Sequence, residues 1–493
     1  MAANLDEIVG ESLATLMRHH ALVRGDSPAI TLDGDEVLTF AQLDTRANSL
    51  AHHLKRVGVT SDRYVTIAEP NSFEFFIACA ACWKIGAIPQ PVSSRLPAGE
   101  LDAIVDLADS AAVIGVEHVG RPSITTKTTI EPNDAPLPDV VASAWKAPTS
   151  GGSTGRPKLI VSGDPSVFAD DLATRPALLG CTTGETMVMP GPMYHNGPFI
   201  WGWSALFVGG HIALSSRFDA HETLAAIERN QATSVYMVPT MMLRIWKLPE
   251  HVRNSYDLSS VRFAWHLAEP CPPWLKDVWI DWIGAENIWE LYGGTEGQAS
   301  TVINGVDWLK HRGSVGKPAT GTMKICDDAG ADLAADEVGE VWMRTLGRDT
   351  PTYHYVGAEA ESRDGWECLG DIGWMDSDGF LYLADRRTDM ILVGGANVFP
   401  AEVEAAINLH PDVGSSAVIG LPDDDKGNQI HAIVQAHGLN EDDLLRHLAE
   451  HLVAYKRPRT IEFVDHALRD DAGKVRRGAL RAERLEKLDS SAS

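Results

Sequence analysis

Ten residues from Thr149 to Lys158, TSGGSTGRPK, alternate glycine with small hydroxyl side chains and end on a lysine. Such a run can wrap phosphates. Gly151, Gly152 and Gly155 let backbone N–H groups approach an anion closely, and Ser153 and Thr154, with Ser150 ahead of them, add hydroxyl donors. Lys158 supplies a point charge for terminal phosphate oxygens. A flexible surface loop is the competing reading. The run is not the loop of ordinary P-loop nucleotide hydrolases, because Gly155 is followed by Arg156-Pro157-Lys158 rather than by Lys-Ser or Lys-Thr.

Three further segments carry groups of the same chemistry. In LYGGTEG (291–297), Tyr292 offers a flat face for a base, Thr295 a hydroxyl for phosphate and Glu296 a hard oxygen ligand for Mg2+. In the stretch 370–404, Asp371 can accept from both hydroxyls of a ribose and Arg386 can donate to the same sugar; a solvated face is the competing reading. In DDAGKVRRGALR (470–481), Lys474 follows a glycine ahead of a short basic helix, and a lone lysine in a turn carries little meaning by itself.

These segments need elements to hold them. Thr39 and Gln42 form a capping box, and Leu43, Ala47, Leu50, Leu54 and Val57 recur at helical spacing until Gly58. YVTIAEP then reads as a strand, Ser72 to Ile85 as a mostly buried helix and AAVIGV as another strand. The alternation returns in TMVMPG, HIALSS and SVYMVP, which predicts an α/β fold: a large N-terminal domain of layered α/β subdomains with parallel pairing. From Gly339 short strands separated by turns predict a β-rich cap, ending in a joint near Arg386 to Asp389. Beyond it, AEVEAAINLH, SSAVIGL, HAIVQAH and EDDLLRHLAEHLVAY predict a small mobile α+β domain with a frayed tail. The expected division is residues 1–386 and 387–493.

Composition narrows the partners. A chain of 493 residues with 44% hydrophobic content suffices for a large body and a second domain. A formal charge of −26 without a basic block argues against a nucleic-acid polymer as partner. Six scattered cysteines read as free thiols rather than a metal knuckle. The N-terminus lacks the pattern of a signal peptide and no stretch reaches the length of a membrane span, so the expected location is cytoplasmic.

The order and spacing of the four segments resemble the adenylate-forming superfamily of acyl-CoA synthetases, nonribosomal adenylation domains and luciferases, from about Thr39 to Arg481. The resemblance implies that the 150–155 loop and Lys158 hold pyrophosphate and that Tyr292 stacks on adenine. It implies that Thr295 and Glu296 handle α-phosphate and Mg2+, and that Asp371 with Arg386 binds ribose. The segments holding Ala268, Glu269 and Pro270, and Glu290, Leu291 and Gly293, are implied to border the nucleotide. His195, in PGPMYHNG, is implied to sit at the mouth of an acyl pocket walled by Trp201, Trp203, Pro239, Leu267 and Gly294. Lys474 is the implied catalytic lysine and Thr388 the implied hinge, where most relatives carry Lys or Asp. Where relatives commonly carry two glycines, this chain has Leu267 and Ala268.

The implied reaction uses ATP and Mg2+ to turn a carboxylic acid into an acyl-adenylate, then passes the acyl group to CoA beside Gly394 and Gly395. An amine as acceptor is the alternative. A non-catalytic AMP-binding regulator is the third reading, against which stands the presence of both Glu296 and Lys474.

Overall fold

The computed structural model describes residues 8–151, 157–387, 389–393, 396–423, 427–469 and 473–491. The 152–155 part of the glycine-rich loop, the Thr388 hinge position and Gly394 and Gly395 lie outside the described residues.

Helix Phe40–Arg56 begins as its residues dictate. Thr39 accepts from the Gln42 backbone N–H at 3.3 Å, and the Gln42 side chain accepts from the Thr39 N–H at 3.0 Å. Leu43, Ala47, Leu50, Ala51 and Leu54 make its buried face. That face packs on helix Phe73–Lys84, which Ser72 caps and which is buried on every side. Beside them a parallel sheet runs in the order Ile88–Pro91, Tyr64–Ile67, Ala112–Ile114, Ser123–Ile124.

The main sheet has 14 strands among the described residues. Its heart is parallel: Pro28–Leu32, His211–Leu214, Thr186–Met189, Ser234–Met237, Phe263–His266 and Ile288–Gly293. From Ser300–Asn304 onward the pairing turns antiparallel, through Ser314–Thr320 and Leu381–Arg386 to Trp366–Met375. The expected β-rich cap thus continues the main sheet edge to edge, which covers an otherwise open strand. A three-stranded antiparallel sheet, Thr149–Gly151, Pro157–Ser162 and Tyr353–Val356, stands apart and carries both ends of the glycine-rich loop.

The C-terminal unit has its own core. Strands Val413–Asp423, Gly427–Ala436 and Thr460–Val464 form a sheet, and helices Pro400–Asn408 and Glu441–His451 supply Val403, Ile407, Leu444 and Leu448 to it. The tail is not frayed as expected. It forms helix Arg477–Ser491, whose Leu480 and Leu485 pack on Ile419, Leu421 and Ile433. Arg484, buried at 6% exposure, donates to both carboxylate oxygens of Glu462 at 2.9 and 3.0 Å. A buried bidentate pair and an apolar stripe offset the entropy that frees most chain ends.

The six cysteines are free thiols, and no helix of the described residues is long and apolar enough to cross a membrane.

Buried histidines predict how stability responds to acid. Burial pushes His20 and His211 down to about 4 and His195 to about 3, and holds His266 well below 6.5. Unfolded, each takes a proton near pH 6.5; folded, none does until the pH is much lower. Their contribution is thus fully present above pH 6.5 and is lost as pH falls toward 4, at up to about 1.4 kcal/mol per pH unit for each. Glu69, pushed up to about 7 by burial and then by Glu74, titrates with the opposite sign. It stabilises the fold below its unfolded value of 4.5 and loses that contribution as pH rises to 7. Four histidines outweigh one carboxyl, so the urea midpoint at pH 5 is expected to lie clearly below that at pH 7. Equal midpoints would contradict this balance.

Candidate active site

Where the main sheet meets the three-stranded sheet and the C-terminal unit there is a cleft of about 2430 Å3. A pocket for one small ligand spans about 300–1,000 Å3; this one has room for a nucleotide and an acid together.

Strand Ile288–Gly293 delivers Glu290, Leu291, Tyr292 and Gly293 to its wall, and the turn that follows delivers Gly294, Thr295 and Glu296. The Tyr292 hydroxyl donates to Asp371 Oδ2 at 2.7 Å, and Asp371 lies on strand Trp366–Met375 opposite Arg386. Residues 79 positions apart in the chain are thereby locked in one orientation. Glu296 is buried at 7% exposure, and its Oε1 accepts from the Tyr355 hydroxyl at 2.5 Å. Lys158 Nζ stands 3.7 Å from the same oxygen and 3.8 Å from the centre of the Tyr355 ring. Burial and the Glu296 charge both push the Tyr355 phenol up, so it stays a donor. At Gly294 a Cβ would lie 2.9 Å from Glu296 Oε2 and 2.3 Å from Leu369, so a larger residue there would displace the carboxylate end or the leucine methyl.

Glu290 is a different case. Its Oε2 accepts from buried Lys276 at 2.6 Å, so this carboxylate is already paired within the wall of the cleft. Leu267, Ala268, Glu269 and Pro270 also line the cleft, and Ala268 has φ 71, the left-handed region that favours glycine. The backbone there has the glycine-like shape although the side chain does not.

His195 precedes helix Asn196–Phe207 without a side-chain capping bond and lines the cleft beside Tyr194. Burial first, then the charge of Lys474, push the imidazole down to about 3, so it is neutral at physiological pH. Trp201 lines the cleft, 5.5 Å from the Tyr236 ring. Trp203 does not, contrary to expectation: it is buried 4.5 Å from the Trp83 ring. Two positions along a helix turn roughly 200°, so 201 and 203 face opposite ways. Pro239 also misses the cleft; it is buried in the first turn of helix Pro239–Trp246, where its missing N–H costs nothing.

The C-terminal unit closes the cleft with Lys474. Gly473 has φ 79, and a Cβ on it would meet Glu269 Oε1 at 1.1 Å, so only glycine brings this loop against the large body. Arg469 donates to the Gly473 carbonyl at 2.9 Å and to Glu404 at 2.7 Å, while Arg477 joins Glu404 at 2.8 Å and Asp389 at 2.9 Å. Arg476 reaches Glu100 of the large body at 3.3 Å.

Lys158, Tyr292, Thr295, Glu296, Asp371, His195, Trp201, Leu267 and Lys474 thus border one cavity. Of the remaining positions singled out in the sequence, the backbones of Ser150 and Gly151 pair with Lys158 and Pro157, and Arg386 ends its strand beside Asp371. Tyr355 is a functional candidate that sequence reasoning missed, because nothing local in TYHYVG marks it. Lys146 and Arg175 were missed as well, although a lysine inside the apolar run ASAWKAP is an unusual placement.

Among the described residues no cluster of three His, Cys, Asp or Glu could hold a metal. Mg2+ needs no such cluster where it is bound through one or two carboxylates and substrate phosphates. Glu296, buried and facing the cleft beside Thr295 and Lys158, fits that donor set.

The sequence family described as AMP-binding enzyme matches residues 17–348, and the AMP-binding enzyme C-terminal domain matches 402–474. A feruloyl-CoA synthase from Amycolatopsis sp is 30% identical over 475 residues, covering 91% of this chain and 94% of that protein. A 2-succinylbenzoate–CoA ligase from Bacillus licheniformis is 29% identical, covering 94% of this chain and 98% of that one. The structure of amide bond synthetase McbA from Marinactinospora thermotolerans superposes with a TM-score of 0.77 at 25% identity, over 96% of this chain and 99% of the other. The o-succinylbenzoate CoA synthetase of Bacillus subtilis, solved with an acyl-adenylate, shares the fold at a TM-score of 0.79 and 23% identity, over 94% and 97% of the two chains.

Proposed function

Because the chain belongs to the family of AMP-binding enzymes, we propose that this cleft joins a carboxylic acid to ATP and then passes the acyl group to CoA. The observation that carries the reading is the meeting of Lys158, Glu296, Asp371, His195 and Lys474, from five distant parts of the chain, around one cavity.

In the first step a carboxylate oxygen attacks the α-phosphorus; the new O–P bond forms as the bond to pyrophosphate breaks. Two anions approach each other, so the cost is electrostatic. The Lys474 ammonium, carried in by the C-terminal unit, bridges the carboxylate and the phosphate and offsets the growing charge. The loop from Ser150 to Lys158 holds the departing pyrophosphate, Tyr292 stacks on adenine, and Asp371 with Arg386 takes the ribose. Mg2+, held by Glu296 when bound, neutralises phosphate charge. Neutral His195 borders the reacting carboxylate without bringing a second cation. In the second step the thiol sulfur of CoA attacks the acyl carbon, its proton leaves, and the C–O bond to AMP breaks. The chain divides for this purpose at 386 and 387, with Thr388 as the hinge that lets residues 387–493 swing. The proposed setting is the cytoplasm.

Asp371 offers a direct check on nucleotide binding. Asp371→Asn removes a charged acceptor for the ribose, so the KM for ATP is expected to rise about 10-fold or more while kcat changes less. Pyrophosphate release measured against ATP concentration gives both; an unchanged KM would remove Asp371 from the ribose site.

CoA is favoured because two of the sequence relatives are CoA ligases; the likeness to the amide bond synthetase supports an amine as the second reading. The test is acid-dependent release of pyrophosphate from ATP, followed by mass detection of products with CoA or with a panel of amines. No pyrophosphate with any acid would overturn the first step. Amides without thioesters would transfer the proposal to the second acceptor.

A further inference from the structure

The cleft continues beyond Lys158 along the hairpin that carries the glycine-rich loop. Ser150 pairs with Lys158, the Ile160 N–H donates to the Pro148 carbonyl at 2.9 Å, and the Ser162 N–H donates to the Lys146 carbonyl at 3.0 Å. The alternation of a strand therefore sets Lys158, Pro148, Ile160, Ser162 and Lys146 on the cleft side in one row. Four residues of strand separate its two lysines, about 13 Å between backbones. Lys146 stands at the far end, where its Nζ donates to Asn196 Oδ1, next to His195.

Two basic side chains gather at one indole there, and among the described residues no carboxylate stands within ion-pair distance of either. Lys146 is buried at 6% exposure, and Arg175, at the end of helix Asp170–Leu178, also lines the cleft. Both lie near one indole: Lys146 Nζ is 5.2 Å and the Arg175 guanidinium carbon 5.8 Å from the centre of the Trp145 ring. The hydrogen-bond partner of Lys146 is a neutral amide; Asp164 and Glu296 act on Lys146, and Asp171 and Asp164 on Arg175, only from beyond contact, with Asp164 held by Arg348 at 2.8 Å and Glu296 by the Tyr355 hydroxyl. Burial, and then the charge of Arg175, push the Lys146 amine down to about 7. A buried ammonium beside a half-buried guanidinium is costly unless a counter-charge comes into contact.

We propose that Lys146 and Arg175 form a subsite for a second carboxylate on the acid, which makes the substrate class dicarboxylic acids whose far carboxylate lies past Asn196. This rests on the reading that the cleft adenylates an acid, and it adds which acid. Arg175 offers a planar fork and Lys146 a point charge, a combination that matches a carboxylate. The single carboxylate of a simple acid is consumed at the α-phosphorus and would leave both cations without a carboxylate in contact.

The test compares matched acids by pyrophosphate release: 2-succinylbenzoate against 4-oxo-4-phenylbutanoate, terephthalate against benzoate, and adipate against hexanoate. In at least one pair the diacid is expected to be preferred in kcat/KM by about 10-fold or more. Lys146→Met and Arg175→Gln should each lower that preference roughly 10- to 100-fold through the KM for the acid, with the KM for ATP held. Equal use of both members of every pair overturns the proposal. So does a loss shared equally by diacids and monoacids, or a rise confined to the KM for ATP, which would assign the cations to the nucleotide. If Lys146→Met fails to fold, as judged by its melting curve, the partly exposed Arg175→Gln decides alone. Release with none of these acids, while ATP still raises the melting temperature, overturns the subsite but not nucleotide binding. Loss of the ATP effect as well would take the adenylation reading with it.

Discussion

Lys474→Ala is expected to leave a folded protein that binds ATP and yet forms acyl-adenylate more slowly by about 100- to 1,000-fold, the range seen when one preorganised charge is removed from a developing anion. The loop that carries the lysine is braced without it. Gly473 fits against Glu269, and Arg469, Glu404, Arg477 and Asp389 form a connected set around the same turn. The Lys474 side chain is exposed on its own unit, so truncation creates no cavity in a core. The loss should therefore appear in kcat for pyrophosphate release, with melting temperature and ATP affinity nearly unchanged. One consequence is specific: transfer from a supplied acyl-adenylate to the acceptor should persist, because that step no longer brings two anions together. Near-normal pyrophosphate release by the variant would remove Lys474 from the chemistry, and equal loss of both half-reactions would point to closure of the C-terminal unit instead.

Glu296→Gln should have the next largest effect. The amide keeps the shape and can still accept from the Tyr355 hydroxyl, which the carboxylate accepts at 2.5 Å. What disappears is the negative charge, 3.7 Å from Lys158, that a hard cation requires. Pyrophosphate release is expected to fall about 100-fold, with a partial recovery as Mg2+ is raised. A Tyr355→Phe control separates shape from charge, since it removes one hydrogen bond to the carboxylate and leaves the charge. If Glu296→Gln shows the wild-type Mg2+ dependence, Glu296 orders the wall and another group meets the metal.

The legible parts of this chain were those whose cause is local. Thr39 and Gln42 sit three residues apart, so their reciprocal cap could be read directly, and the apolar stripe from Leu43 to Leu54 specified which face of the helix is buried. Short strands such as Tyr64–Ile67 and Ser234–Met237 were readable for the same reason, as apolar runs between turn signals. The tail failed that test. Its residues are mostly polar, and only the distant Glu462 and the sheet surface under Leu480 explain why it is a helix. Trp203 failed differently: proximity in sequence to Trp201 suggested a shared role, whereas helical geometry points the two rings apart. Tyr355 left no trace in its own neighbourhood, because its partners Glu296 and Lys158 are 59 and 197 residues away, the latter being 355 − 158.

By itself the sequence determined which residue types are on hand, the elements they start and stop, and the alternation that makes an α/β body with a second unit, since these follow from spacing within a turn or two of chain. The folded structure sets Glu290 against Lys276 and Glu296 against Tyr355 and Lys158. It alone brings Lys146 and Arg175 to one indole. Electrostatic energy depends on distance through space, and burial depends on what every other segment covers; neither quantity is defined until the chain has folded.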